Sequence, residues 1–445
     1  MTQFLIIGSG VAGISAAEAI RSQDTQSPIT IISDDRHGFY SRPGLAYFLT
    51  GEIPQDQLFN YSPQAYKALN TKFIRGRVTR IRSSDHMVEV ENGKYPFCYD
   101  ILLIATGSFA LKPEVPGIAF DGVVKLDHLE DAIRIIALAK KAKKAIIVGG
   151  GITALELAEG LVANRVKVHY LLRGDRYWGN VLDENESRII ERRLKEHRIT
   201  IQYQAELSEI TGKAGRVTGV RLASGDTIPC DIVAVAIGIK PKLELAKASG
   251  IATDRGILTD EYLQTSVDAV YSAGDVAQAI DSLSGKNVLD TLWAPAREQG
   301  WTAGLNMVGV KTPYVKSPSF NVTRLAGLTT TIIGQVGGGR DSDVFGIARG
   351  DSETWRDIPD AIAAQTGFEV NRLRLMIGEE HIVGAVVMGD QTLSYPIQYI
   401  VAKRVDISSI RSALLAPGAD ISEVLVNFWT IFSRQVAHSL SSEIS

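Results

Sequence analysis

Cysteine is nearly missing from this chain. Only Cys98 and Cys230 occur in 445 residues, and neither belongs to a CxxC or CxxxxC pair. That spacing excludes a dithiol redox centre and a cysteine-based metal site. Each cysteine shortly precedes an Asp that opens a strand, and both read as buried small hydrophobes. The seven histidines show no HxH or HxxxH spacing, so no metal is expected. Long apolar runs are missing as well. None approaches the roughly 20 residues that span a bilayer. Residues 4–7 are apolar, but Gly8 and Gly10 interrupt at once and no basic segment precedes them, so no signal peptide is read. The expectation is a cytoplasmic protein with no membrane span. A net charge of −3 gives no reason to expect nucleic acid as a partner. The one dense basic run, Lys140, Lys141, Lys143 and Lys144, follows an apolar helical stretch and reads as a solvated last turn complementing the helix dipole. Hydrophobic residues at 45% and charged residues at 22% are ordinary for a globular protein. At roughly 100–200 residues per domain, the length suggests two to four domains.

What the chain does have is glycine in two significant places. Phe4-Leu5-Ile6-Ile7 reads as a buried parallel strand. Gly8-Ser9-Gly10-Val11-Ala12-Gly13 follows, then an Ala-rich helical stretch, then the strand Ile29–Ile32 ending at Ser33-Asp34-Asp35. In such a unit Gly8 permits the tight turn, Gly10 lets a pyrophosphate approach the backbone, and Gly13 lets helix and strand pack closely. The helix start offers its N–H groups to the phosphates. A carboxylate at the second strand's end can accept from a ribose hydroxyl; Asp35 is the first choice and Asp34 the alternative. A second unit repeats the pattern: Ala145–Val148, then Gly149-Gly150-Gly151-Ile152-Thr153-Ala154, a helix to about Asn164, and a strand from Val166 to Leu172. Ala154 takes the third glycine's place, which the fingerprint permits. Two dinucleotide sites suggest two dinucleotides exchanging electrons.

From here the sequence resembles the two-dinucleotide flavoproteins, the FAD-dependent pyridine nucleotide-disulfide oxidoreductase family. Its branches include rubredoxin and ferredoxin reductases, NADH oxidases and the flavin part of assimilatory nitrite reductases. The resemblance covers roughly residues 1–310. The first glycine unit, with Val11 and Ala12, resembles the FAD fingerprint. Tyr99–Gly107 resembles the strand and tight turn near FAD that end in Ala105-Thr106-Gly107. Asp231–Gly238 resembles the matching motif of the pyridine-nucleotide domain. Tyr271-Ser272-Ala273-Gly274-Asp275 resembles the second FAD motif, which implies that Asp275 accepts from the ribityl chain. Arg297-Glu298-Gln299-Gly300 resembles the stretch where a helix points its N-terminus at the flavin, a favourable place for negative charge. Val78 is implied to pair its backbone with adenine.

The departures are equally informative. Phe39-Tyr40-Ser41-Arg42-Pro43-Gly44-Leu45 carries no Cys where other branches have one, which disfavours disulfide and sulfenate chemistry. It resembles the YxRPxL stretch of the carrier reductases, so Arg42 and Pro43 are expected near the flavin. Those reductases place a Lys four residues after the Pro, paired with a Glu of the second glycine helix. Glu156 stands at the Glu position, but Tyr47 stands at the Lys position, leaving the cation partner open. Arg42, Tyr47 and Glu156 are thus the residues set against the reacting rings. At the end of Tyr170-Leu171-Leu172-Arg173-Gly174-Asp175-Arg176, Leu172 stands where an NAD site carries an acid. Arg173 and Arg176 could hold a 2′-phosphate, which favours NADPH over NADH. Asp175 could pair with Arg176 and leave one cation for the task.

Beyond Pro313 the resemblance thins. Arg372–Ile377 and Ile382–Met388 read as an antiparallel hairpin with Glu379-Glu380-His381 at its turn, and Gly337-Gly338-Gly339 as a loop. Asp420 with Glu423 makes a capping box. Ile421, Val424, Leu425, Phe428, Trp429, Phe432 and Val436 then recur at helical spacing. That stripe fits packing on its own domain, or an interface for a partner subunit or a second copy.

The expected fold is α/β: two Rossmann-like domains, with the NAD(P) domain (113–242) inserted in the FAD domain (1–112 and 243–312), and a small C-terminal α+β domain (313–445). The expected activity is that of an NAD(P)H oxidoreductase. Hydride passes from nicotinamide to FAD, and electrons go on to an external rubredoxin- or ferredoxin-like carrier. Alternatives are the flavin subunit of a larger electron-transfer complex, and a low-turnover flavin-bound sensor or binding protein.

Overall fold

The structure, a computed structural model, describes residues 1–93, 95–281, 284–338, 349–367 and 370–443. Gly339 of the expected loop lies outside them. The described residues form two compact units. The first gathers Met1–Arg173, Gln204–Lys316 and residues 349–353; the second gathers Gly174–Tyr203, residues 317–338 and the described part of 354–443.

The first unit contains two parallel sheets. One orders its strands Val270–Ser272, Ile101–Ile104, Phe4–Ile7, Ile29–Ser33, Thr71–Arg75, with Ile6 opposite both Ile31 and Leu103. The run Phe4–Ile7 is buried at every position, as a strand covered on both faces must be. The other sheet sets Lys167–Leu171, Lys144–Val148, Ile232–Val235 and Val123–Val124 side by side, also parallel. An antiparallel meander, Leu207–Lys213, Arg216–Leu222 and Thr227–Pro229, closes one face with Val217, Val220 and Leu222 packed on Ile146 and Val233. Ser108–Ala110 pairs antiparallel with Ile239–Pro241. These two segments carry the chain from the first sheet to the second and back.

The glycine helix Val11–Gln23 packs along Trp293–Met307. The contact is close because a Cβ on Gly300 would fall 2.2 Å from the Ala12 carbonyl oxygen. No side chain larger than hydrogen fits there.

The second unit is built on an antiparallel sheet ordered Phe320–Leu325, Leu328–Gly334, Ile382–Met388, Arg372–Ile377, Ile362–Thr366. The expected hairpin is present, with Leu375 opposite Ala385. Its polar positions do not face water, however, because every residue of Arg372–Ile377 is buried. Two arginines are accommodated by charge. Arg374 donates to both carboxylate oxygens of Glu186 (2.9 and 3.0 Å) and to the carbonyls of Val336 and Val181. Arg372 donates to Asp183 at 2.7 Å. Asp183 and Glu186 in turn form the capping box of helix Glu184–Glu196, so one acidic pair both starts a helix and neutralises a strand.

The tail helix Ile421–Glu443 begins where expected, with Asp420 accepting from the Ser422 and Glu423 backbones at 3.0 and 3.2 Å. Ile421 and Leu425 are buried in the sheet's core, and Val424, Phe428, Trp429 and Phe432 pack against it. Trp429 meets Tyr395 and Tyr399 edge-on. The stripe therefore covers its own unit. No described helix is long and apolar enough to cross a membrane. One cysteine expectation is corrected. Cys230 is buried, its thiol pushed up to about 12 by burial and by Asp231. Cys98 is exposed, because its short strand Phe97–Cys98 pairs only through Met87–Val90 at the end of a three-stranded sheet.

Candidate functional site: two glycine turns and a charged seam

Both glycine turns sit at the ends of their parallel strands. Gly8 takes φ +115°, and a Cβ on it would lie 2.1 Å from the Ala105 carbonyl oxygen. Gly149 takes φ +145°, and a Cβ there would lie 2.1 Å from the Ala236 oxygen. Each turn is thus pressed against the next strand in a conformation that only glycine adopts without strain. Beyond each, the opposite holds: a Cβ on Gly10 or Gly150 would have nothing within 4 Å. The helices begin at Val11 and Ile152, with Gly10 and Gly151 as N-caps and no side-chain cap on either. Their first-turn N–H groups are the donors a phosphate would take. Ala12, Ile152 and Ala154 are buried, while Val11 and Thr153 are partly exposed.

Around the first turn, Thr106 Oγ1 is buried without a hydrogen-bond partner, and Gly107 has open space where a Cβ would stand. Beside the open Gly107, that hydroxyl is a group a bound molecule would satisfy. Ser108 Oγ donates to Asp275 at 2.7 Å, which brings the two expected FAD motifs together. Val78 is buried at the start of strand Val78–Arg82. Asp35 is mostly buried, with one oxygen accepting from His37 N–H at 2.9 Å, whereas Asp34 is exposed. The Arg297–Gly300 expectation is corrected in part. The helix starts at Trp293, with Pro295 in its first turn where proline is tolerated. Arg297–Gly300 therefore lie a turn further on. Gln299 accepts from Gly274 N–H at 2.9 Å, and Gly300 serves the helix contact, so both are engaged within the protein.

Around the second turn, helix Ile152–Ala163 packs on Gly44–Thr50, the short helix that follows Arg42 and Pro43 and carries Tyr47. A Cβ on Gly160 would lie 2.9 Å from Leu49 Cβ, and Asn164 donates to the Leu49 carbonyl at 2.9 Å. Tyr47 is 38% exposed. Glu156 is partly buried. Desolvation pushes its carboxyl up to about 7, repulsion from Glu159 adds to that, and Arg349 pulls the other way. Gly238 takes φ +127° just before the returning strand. Leu172 is buried and Arg173 exposed at the end of strand Lys167–Leu171. Arg176 is bound at 3.2 Å to Asp175 and at 3.0 Å to the Gly179 carbonyl. Two of its nitrogens thus serve its own loop, with Asp175 taking one of them, while its Nε is buried without a partner.

Sequence reasoning missed a charged seam beside these turns. Asp127 is 2% exposed and carries an ion pair from Arg349, one from Lys125 at 3.3 Å, and the Ala110 N–H at 3.1 Å. Its burial would raise its pKa, but Arg349 and Lys125 hold the carboxyl well below the usual range. His128 lies 3.5 Å from Arg42 and 3.9 Å from Asp35. Burial, then Arg42, pushes its pKa down. Lys242 donates its backbone N–H to the Gly107 carbonyl at 3.0 Å. Burial lowers its ammonium pKa against the field of Asp34. No local signal announces this seam. Asp127, Lys242 and Arg349 are single charges in unremarkable stretches, brought together only by the fold.

Residues 2–300 match the pyridine nucleotide-disulphide oxidoreductase family. The chain belongs to that family. Over 311 residues it is 31% identical to an NAD(P)H sulfur oxidoreductase (CoA-dependent) of Pyrococcus abyssi, covering 68% of this chain and 69% of the relative. Over 354 residues it is 30% identical to the ferredoxin–NAD(+) reductase component of the biphenyl dioxygenase system of Paraburkholderia xenovorans, covering 79% and 85%. The crystal structure of NADH:rubredoxin oxidoreductase from Clostridium acetobutylicum superposes with a TM-score of 0.72 at 25% identity, covering 96% of this chain and 99% of that one. This member of the family is an NAD(P)H-dependent flavoprotein reductase. The residues present fit its two nucleotides. Gly10 and Gly150 leave room for a pyrophosphate, and Thr106 has a hydroxyl to satisfy. The disulphide of the family's title has no counterpart here, since no Cys stands between Phe39 and Leu45.

Proposed function

We propose that this chain draws electrons from a nicotinamide nucleotide held by Gly149–Ala154 and passes them to an external protein carrier of the rubredoxin or ferredoxin kind. FAD, held by Gly8–Gly13, Thr106, Gly107 and Asp275, would supply the step from two-electron hydride acceptance to one-electron donation. The protein's part is placement. The first-turn N–H groups at Val11 and Ile152 fix the phosphates. Arg42 and Pro43 border the flavin, and Tyr47 and Glu156 border the nicotinamide. The observation that carries the reading is the pair of open glycine turns in a unit with no cysteine near them, which leaves an external acceptor. The ferredoxin and rubredoxin reductases among its relatives support the same acceptor class.

NADPH is the favoured donor. Leu172 cannot accept from a ribose hydroxyl, and Arg173 at the strand end suits a 2′-phosphate. The aromatic stripe of the tail helix is spent on its own core, which weighs against a subunit-docking helix. The test is steady-state NAD(P)H oxidation with a panel of acceptors: rubredoxin, a [2Fe–2S] ferredoxin, oxygen and a low-molecular-weight disulfide. Turnover with an iron–sulfur or rubredoxin carrier at least tenfold above the others is expected. Turnover with oxygen or disulfide alone would overturn the acceptor assignment.

A further inference from the structure

Glu156 and Glu159 stand on one helix beside the second glycine turn, and the short helix against which it packs brings no cation. Tyr47 is the only titratable residue of Gly44–Thr50. On Leu129–Ala139 the charged residues are already matched: Glu130 with Arg36 and His37, Asp131 with Lys125, and Arg134 with Asp121. The adjoining strands contribute Lys144, Lys167, His169 and Tyr170, and burial followed by the field of Glu159 keeps the Tyr170 phenol protonated. The cation whose field favours the Glu156 carboxylate comes from far along the chain. Residues 350–353 are pinned to 289–291: Gly350 N–H donates to the Thr291 carbonyl at 3.2 Å, Thr291 N–H to Asp351 at 3.1 Å, and Leu289 N–H to the Glu353 carboxylate at 3.1 Å. This places Gly350 beside the start of the second glycine helix, where a Cβ on it would lie 3.9 Å from Ile152 Cδ1. Ile152 and Glu156 share a face one turn apart. Arg349, next to Gly350, is fastened by Asp127, and its Nε is buried without a partner.

We propose that Arg349 is the counter-charge of Glu156 and, anchored by Asp127, a positioning residue of the nicotinamide site in place of a cation at Tyr47. The proposal rests on the reading that the second turn holds a nicotinamide nucleotide. The electrostatics agree in sign: burial and Glu159 disfavour the Glu156 carboxylate, and Arg349 favours it. The segment that follows Arg349 is also bonded to residues 289–291, which lead into helix Trp293–Met307, the helix that packs along the first glycine helix.

The test uses the full-length flavin-loaded protein and a non-reactive probe, tetrahydro-NADPH. Its dissociation constant is followed by calorimetry from pH 5.5 to 9 in wild type, R349K, R349Q and E156Q. Wild type should show a pH step near 7, absent in E156Q. R349Q should move that step up by about one pH unit, and R349K should leave it within a few tenths. A step unmoved in R349Q, or a flat wild-type profile, overturns the proposal while the nucleotide site stands. Absence of any binding to wild type overturns the reductase reading itself. Should R349Q fail to hold flavin, the R349Q/E156Q double variant decides. Recovery of flavin content supports the pair, because the double variant removes the Glu156 charge that R349Q strands, while Asp127 has lost Arg349 and kept Lys125 in both variants. A defect equal to that of R349Q alone contradicts it.

Discussion

The two glycine turns of this chain share one backbone device and differ in their chemistry. Gly8 and Gly149 both take positive φ and both press within 2.1 Å, by their would-be Cβ, of the next strand's carbonyl oxygen. Both are followed by an uncapped helix start and a glycine with open space. The difference lies in the side chains at their edges. The first turn has Asp34 and Asp35 at its strand end, an orphaned Thr106 hydroxyl, and Asp275 brought in through Ser108. The second has a buried leucine and an arginine at the strand end, a tyrosine on the helix packed against it, and an arginine delivered from residue 349. Backbone geometry decides that a dinucleotide can bind. On the reading proposed above, the side chains at the edges decide which one and in what charge state, and there the two turns differ.

Substitution at the turns separates the two most sharply. Gly8→Ala should destabilise the protein by several kcal/mol, since it combines positive φ with a clash against backbone. It should lose bound flavin, as read from the 450 nm absorbance per protein. Gly149→Ala should keep much of its flavin and lose reduction by either nucleotide. Equal flavin loss in both variants would erase the distinction between the turns.

Next in size is the seam. Asp127→Asn should cost about 3 kcal/mol at pH 7, because it strips a buried carboxylate from Arg349 and Lys125. Asp127's native pKa is depressed, so its contribution is present above the unfolded value near 4 and is lost as pH falls through the native one. The deficit measured by urea melts should therefore narrow below about pH 4. A deficit independent of pH would mean that shape, and not charge, is what Asp127 provides. Glu156→Gln should do the reverse on a smaller scale. Its native pKa is raised to about 7, so the ionised form costs stability increasingly from about pH 4.5 to 7. The glutamine variant should be more stable than wild type by about 2 kcal/mol above pH 7 and nearly equal to it at pH 4.5.

The smallest effects concern the nucleotide's 2′ position. Arg173→Leu should lower the preference for NADPH over NADH in flavin reduction by roughly tenfold, the worth of one charge-assisted contact. Arg176→Ala should change it by less than about twofold, because that guanidinium already serves Asp175 and Gly179. The opposite ranking would reassign the phosphate site.

The glycine turns, the strand ends at Ala105–Gly107 and Gly238, and the Asp275 motif were legible because each is local: a few residues with a fixed order and a backbone reason for it. So were the Arg372–Met388 hairpin and the tail helix, whose periods are read from consecutive residues. What was not legible came from pairings across hundreds of residues. The burial of Arg372 and Arg374 could not be read, because their partners Asp183 and Glu186 lie about 190 residues earlier. The cation partner of Glu156 stayed open because the arginine proposed for it, Arg349, lies outside the motif-bearing part of the chain. Cys98 looked buried from its neighbours, and only its short edge pairing exposes it.

The account's central claim is that the second turn feeds electrons to a flavin on the first. Anaerobic stopped-flow mixing of the yellow protein with NADPH and with NADH, following the 450 nm band, tests it most directly. Bleaching by at least one nucleotide within a single fast phase, more rapid with NADPH, is the predicted result. A flavin that neither nucleotide bleaches would contradict the claim and leave a flavin-bound protein whose second glycine turn serves something other than electron supply.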